Sequence, residues 1–152
     1  MLPPSAPVVA DFLRGSMVAL IATVSAKGRP FMTPLWFVVD DGALYLTTGT
    51  ATWTARNVVP HPEVALLLTG ERLTHPGETL RLHGTATIQH GLPPWRVLAR
   101  IAAKYYVAPG GLAVELANAR KWGLRARYYA QVKGGAGYLR VVPTGGEVLR
   151  RP

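Results

Sequence analysis

The chain has no cysteine. That excludes a disulfide framework and every thiolate metal site, and it fits a reducing compartment, so the cytoplasm is the expected location. Acidic residues are also scarce: eight Asp and Glu stand against seventeen Lys and Arg, a formal net charge of +9. No apolar run is long enough to span a bilayer. The nearest, "MVALIATV" at residues 17 to 24, lies between Arg14 and "SAK" and faintly mimics a signal peptide. Asp11 and "VVADFL" occupy the place of a signal's basic region, and a turn and a second apolar run follow, so the run reads as a strand and no membrane partner is expected. The chain has no G-x-G-x-x-G, no P-loop and no nucleophile elbow. His61, His75, His83 and His90 show no metal-ligand spacing, so no metal is expected.

What is present fits one domain over residues 1–152, with no repeat, linker or low-complexity tract. The charge is uneven. Residues 1 to 95 hold six basic and six acidic residues, whereas 96 to 152 hold eleven and two. A basic face suits an anionic ligand, a nucleic acid or a membrane surface, and an arginine-rich solvated surface explains it equally well. Nucleic acid ranks last, because "KYY" and "RYY" suit packing as well as base stacking.

Pro7 opens a short helix to about Arg14, with Ser5 or Ala6 near its cap and Gly15 ending it. "MVALIATVS", "FMTPLWFVV" and "ALYLTT" read as three strands joined by the turns "AKGRP" and "DDG". "TWTARNVV" is a short helix capped by Thr52 and halted by "PHP", and "EVALLLTG" is a fourth strand. In "TLRLHGTATIQ" the residues alternate with period two, Leu80, Leu82, Ala86 and Ile88 against Arg81, His83, Thr85 and Thr87, with Gly84 at a bulge. His83 is placed on a solvated face beside Arg81. Pro93 and Pro94 open a helix whose apolar side is Trp95, Leu98, Ile101, Ala102 and Tyr105, with Arg96, Arg100 and Lys104 opposite. "GGLAVELANARKW" reads as another helix, and "YLRVV" and "EVLRR" as two closing strands around "PTGG". A small barrel with helices over its ends follows.

Two features invite chemistry. Five of the eight residues from Thr47 to Thr54 are threonine, and Arg56 follows. Hydroxyls beside a guanidinium suit a phosphate, although threonine is also simply a good strand residue. Pro34 lies inside "FMTPLWFVV", so that strand is bulged or at an edge there. Both its faces are apolar, Phe31, Leu35 and Phe37 on one and Met32, Trp36 and Val38 on the other, and a second subunit is the commoner way to cover the surplus face.

The order of "GRP…TPLWF", "LYLTT", "ARNVVPHPEVAL" and "HGTATI", over residues 12 to 90, resembles the pyridoxamine phosphate oxidase-like superfamily. The resemblance implies a mainly β fold, a six-stranded antiparallel split β-barrel. It further implies a homodimer with FMN or a deazaflavin coenzyme in grooves between the subunits, acting on a small-molecule substrate. The cofactor phosphate would meet Thr33 and Pro34, then Thr47 and Thr48, then Thr52, Trp53, Thr54 and Arg56, with Arg29 nearby. Typical members carry a lysine just before the "ARN" triplet, where this chain has Trp53 and Thr54. Each lost charge-assisted hydrogen bond is worth about 1.5–3 kcal/mol, so weakened FMN binding is expected and Thr54→Lys should tighten it. The implied function is a flavin- or deazaflavin-dependent oxidoreductase with no assigned catalytic side chain. The alternative is a non-catalytic flavin- or haem-binding split barrel.

Overall fold

A tight turn and a run of β-branched and aromatic residues lay down the first three strands. In the computed structural model, which describes residues 1–71, 77–105 and 136–150, these are β1 (Val18–Val24), β2 (Pro30–Asp40) and β3 (Ala43–Gly49). Asp41 and Gly42 both take positive φ, 49° and 74°, the requirement of a two-residue type I′ hairpin. The remaining strands are β4 (Glu63–Leu68), β5 (Glu78–His90) and β6 (Ala136–Arg150). All pair antiparallel in the order β1-β2-β3-β6-β5-β4, and the β1–β4 ladder closes the barrel.

Alternation sends one face of every strand inward. Ile21, Phe37, Leu44, Leu46, Leu66, Leu68, Leu80, Leu82 and Leu139 form the buried core. Helix α1 (Pro7–Gly15), with Ala6 as its N-cap and Pro7 in its first turn, adds Val9 and Phe12 to that core.

The closing segment differs from the sequence expectation. "YLRVV" and "EVLR", the described part of the second segment, are not two strands around a turn but one strand of fifteen residues, and "PTGG" holds a bulge within it. The register shifts where His83 faces Gly145 and Gly84 faces Pro143, leaving Thr144 as the extra residue. Gly84 sits at the bulge as expected. A Cβ there would lie 2.7 Å from Val141 Cγ1 and 2.8 Å from the Val142 carbonyl, so only glycine lets the strands approach.

Helix α3 (Trp95–Tyr105) covers the outer face of β2 and β3. Val97 and Ile101 pack with Val38, Ala43 and Tyr45, so the buried stripe is rotated by about one position from the expected one. Trp95, assigned to the apolar side, is 77% exposed. The polar side does more than face water. Asp40 is buried at the end of β2 and takes Arg96 at 3.3 Å and Arg100 at 3.1 Å, which fastens the helix.

Among the described residues no helix is long and apolar enough to cross a membrane. The expected helix "GGLAVELANARKW", "RYY", His75 and much of the basic C-terminal part lie outside the described residues.

Candidate cofactor site

β2 and β3 pair only from Asp40↔Ala43 to Phe37↔Leu46. Beyond that point they part. β3 continues through Thr47, Thr48 and Gly49 along β6, while β2 continues from Trp36 to Pro30 along β1. Pro34 helps to explain the split. The Phe37 N–H donates to the Tyr105 hydroxyl at 2.9 Å, and that hydroxyl lies 2.6 Å from the Met17 carbonyl, so Phe37 presents its backbone groups toward the β1 side. Backbone groups alternate along a strand, and Pro34, three residues away, turns its nitrogen to the opposite, open side. It has no N–H to offer a neighbouring strand there. Of the two sequence expectations, bulge or edge, the edge is the one found.

A short helix is wedged at the split. α2 (Trp53–Asn57) is capped by Thr52, whose hydroxyl accepts the Ala55 N–H at 3.2 Å, as its sequence predicts. The buried Asn57 side chain donates to Thr23 Oγ1 on β1 at 3.0 Å. Thr54 donates to Thr33 Oγ1 on β2 at 3.2 Å. On the β3 side, Thr48 Oγ1 lies 3.0 Å from Thr52 Oγ1, and Thr52 also donates to the Gly49 carbonyl at 3.0 Å. The threonine-rich stretch therefore yields two hydroxyl pairs, Thr33–Thr54 and Thr48–Thr52, one at each lip. Thr33 keeps its own proton, and Thr48 keeps its own when Thr52 donates to Thr48; when Thr52 donates to Gly49 instead, Thr48 spends its proton on Thr52.

The other predicted residues divide. Thr47 shares the outer face of β3 with Tyr45 and sits opposite Tyr138, so alternation points it away from Thr48. Arg29 lies in the exposed β1–β2 turn, its N–H held by Ser25 Oγ at 3.0 Å, and no bond joins it to the threonine pairs. Trp53 is 61% exposed and stacks on Phe31 of β2, centroids 5.7 Å apart and planes at 16°. The Arg56 guanidinium lies 5.6 Å from the Trp53 ring centroid. Thr54 is only 3% exposed. Thr54→Lys would therefore bury a cation and break the bond to Thr33, so burial opposes the tightening expected from sequence.

Among the described residues most arginines have carboxylate partners, whereas Arg29, Arg56 and Arg140 have none. Arg14 pairs with Asp11, Arg81 with Glu147, Arg96 and Arg100 with Asp40, and Arg150 with Glu78. Among the described residues Arg56 has no carboxylate partner, Glu63 included. His83 does lie beside Arg81, 3.6 Å from Glu147 on the outer face of β5 and β6, remote from the threonine pairs in the strand order. The Arg81 hydrogen bond, with its charge and a smaller share from His83, holds the Glu147 carboxyl below the usual carboxylate range. No group of His, Asp and Glu fit to hold a metal occurs among the described residues.

Beside the split, Val24, Met32 and Trp36 expose apolar surface from one face of β1 and β2. Tyr105 covers part of Trp36 by stacking at 4.5 Å with planes at 5°. Sequence reasoning placed Tyr105 on the apolar side of its helix but missed its bonds to Phe37 and Met17, the Asp40 clamp and the Asn57–Thr23 bond, because each joins residues distant along the chain.

The fold is shared with solved structures of modest identity. One is F420 reductase, 20% identical with a TM-score of 0.61, aligned over 90% of this chain and 93% of that one. Another is a conserved hypothetical protein from Mycobacterium tuberculosis, 22% identical with a TM-score of 0.67, over 96% of this chain and 84% of that one. A third is HutZ, the haem storage protein from Vibrio cholerae, 15% identical with a TM-score of 0.62, over 98% and 95%. At these identities the likeness is one of fold. No curated protein matches the chain. The family model for pyridoxamine 5'-phosphate oxidase matches residues 6–132, and the chain belongs to that family.

Proposed function

We propose that the protein is an oxidoreductase that holds FMN, or a deazaflavin coenzyme, against the split between β2 and β3 and acts on a small molecule. The observation that carries this reading is the junction itself. Two strands part around α2, and their lips bring hydroxyls of Thr33 and Thr48 to a helix whose one guanidinium, Arg56, meets no carboxylate among the described residues. Hydroxyls and a free guanidinium are the donor set a phosphate requires.

In this reading Thr33, Thr48 and Arg56 hold the phosphate, and Thr54 and Thr52 orient the two hydroxyls from behind. Pro34 keeps the β2 edge open for a planar ring. Arg29 and Thr47 stand outside these first contacts. The cofactor supplies hydride transfer when bound, and the protein's share is binding, orientation and exclusion of water. A second copy of the chain covers Val24, Met32 and Trp36 and completes the groove, which makes the working unit a homodimer.

The likeness to a haem storage protein favours a second reading, a carrier of flavin or haem without turnover. The absorption spectrum and mass of ligand released from freshly purified protein separate flavin from haem. Turnover with a reduced nicotinamide or reduced deazaflavin then separates enzyme from carrier. Sedimentation at micromolar concentration tests the dimer, and a clean monomer would remove the intersubunit groove.

A further inference from the structure

Trp53 is too exposed for a core residue, yet it is not loose. Its indole stacks on Phe31, which shares a face of β2 with Thr33. Successive residues of α2 thus engage the same lip of the split: Trp53 meets Phe31 and Thr54 meets Thr33. Arg56, three residues along the helix from Trp53, places its guanidinium against the same indole. Tryptophan is the strongest aromatic partner for a cation.

An arginine on a solvated helix samples many rotamers, and an anion that binds it must first restrict them. A guanidinium already resting on a fixed ring loses less freedom on binding. The Phe31–Trp53 stack fixes that ring. We propose that Trp53 is a positioning residue: braced by Phe31, it holds the Arg56 guanidinium at the lip of the split, ready for the cofactor's phosphate. This rests on the phosphate reading above and adds to it a reason for tryptophan where a core residue would be buried.

The test is a set of titrations with FMN and with riboflavin, which lacks the phosphate, on wild type, Trp53→Ala, Trp53→Phe, Arg56→Ala and the Trp53→Ala/Arg56→Ala double variant. Trp53→Ala should weaken FMN by about two- to fivefold, the equivalent of one exposed cation–π contact, and leave riboflavin unchanged. Trp53→Phe should retain part of that selectivity. In the Arg56→Ala background Trp53→Ala should cost FMN nothing further, because its effect runs through the guanidinium. Trp53 removes little buried surface, so each variant should fold, and near-wild-type melting confirms it. Equal losses for both ligands, or an undiminished loss in the Arg56→Ala background, would assign Trp53 to the ring or to general packing and overturn the proposal. Unchanged FMN selectivity in Trp53→Ala would remove the positioning role alone. A wild type that does not prefer FMN to riboflavin would overturn the phosphate reading itself, and the role of Trp53 with it.

Discussion

β2 is two strands in one. From Phe37 to Asp40 it pairs with β3, packs Val38 beneath α3 and ends in a buried carboxylate clasped by Arg96 and Arg100. From Pro30 to Trp36 it keeps only β1, and its side chains alternate between half-buried and exposed. The same contrast holds for the arginines, since those of α3 are neutralised by Asp40 whereas Arg56 stacks on an indole and meets no carboxylate among the described residues. Satisfied groups build the scaffold, and in the proposed reading the groups left with spare hydrogen-bonding capacity are the ones that receive the cofactor.

Substitutions can break this comparison. The largest effect belongs to the closed region: Leu66 is fully buried in the barrel core, and Leu66→Ala should lower stability by about 2–5 kcal/mol, read by denaturant or thermal melting. The open half should respond in binding instead. Arg56→Ala should weaken FMN by about 1.5–3 kcal/mol, roughly ten- to more than a hundredfold, with riboflavin affinity and melting nearly unchanged. Equal losses for the two flavins would make Arg56 structural, and the contrast would fail.

Smaller effects sharpen it. Asp40→Ala should loosen α3 and cost about 1–2 kcal/mol, less than two buried charge pairs would, because both arginines remain more than half exposed. The smallest concerns Glu147, whose carboxyl is held below the ordinary range by Arg81. A lowered folded-state value means that its contribution is complete above the unfolded-state value and is lost as pH falls through the folded one. Wild type should therefore exceed Glu147→Gln slightly at neutral pH, and the two melting curves should converge as pH drops below the carboxylate range. Added salt should shrink the difference as well. A gap that widens toward acid would contradict the assignment.

Much of this was legible in the sequence because period-two alternation and turn residues are local signals. The strand alternation of β5, the type I′ turn at Asp41–Gly42 and the Thr52 cap each follow from a few neighbouring residues. β6 was misread for a physical reason: Pro143, Thr144 and Gly145 spell a turn, yet opposite Gly84 the ladder absorbs them as a bulge. Periodicity located α3 but not its rotation, which the Asp40 clamp and Val97 decide. At the split, the supply of hydroxyls and one cation was readable in the threonines and Arg56, whereas their pairing was not. That Thr54 turns inward to Thr33 depends on where β2 parts from β3, a relation between residues 21 positions apart.

The most direct test of the central claim is an amide chemical-shift map of the wild-type protein titrated with FMN. The account predicts that the perturbed amides cluster at residues 31–33, 35 and 36 of β2, at Thr48 and Gly49, and from Thr52 to Asn57, while the Arg81 to Thr85 segment of β5 stays still. Shifts centred on the Arg81–His83–Glu147 face, or a map that leaves both lips of the split unmoved, would contradict it.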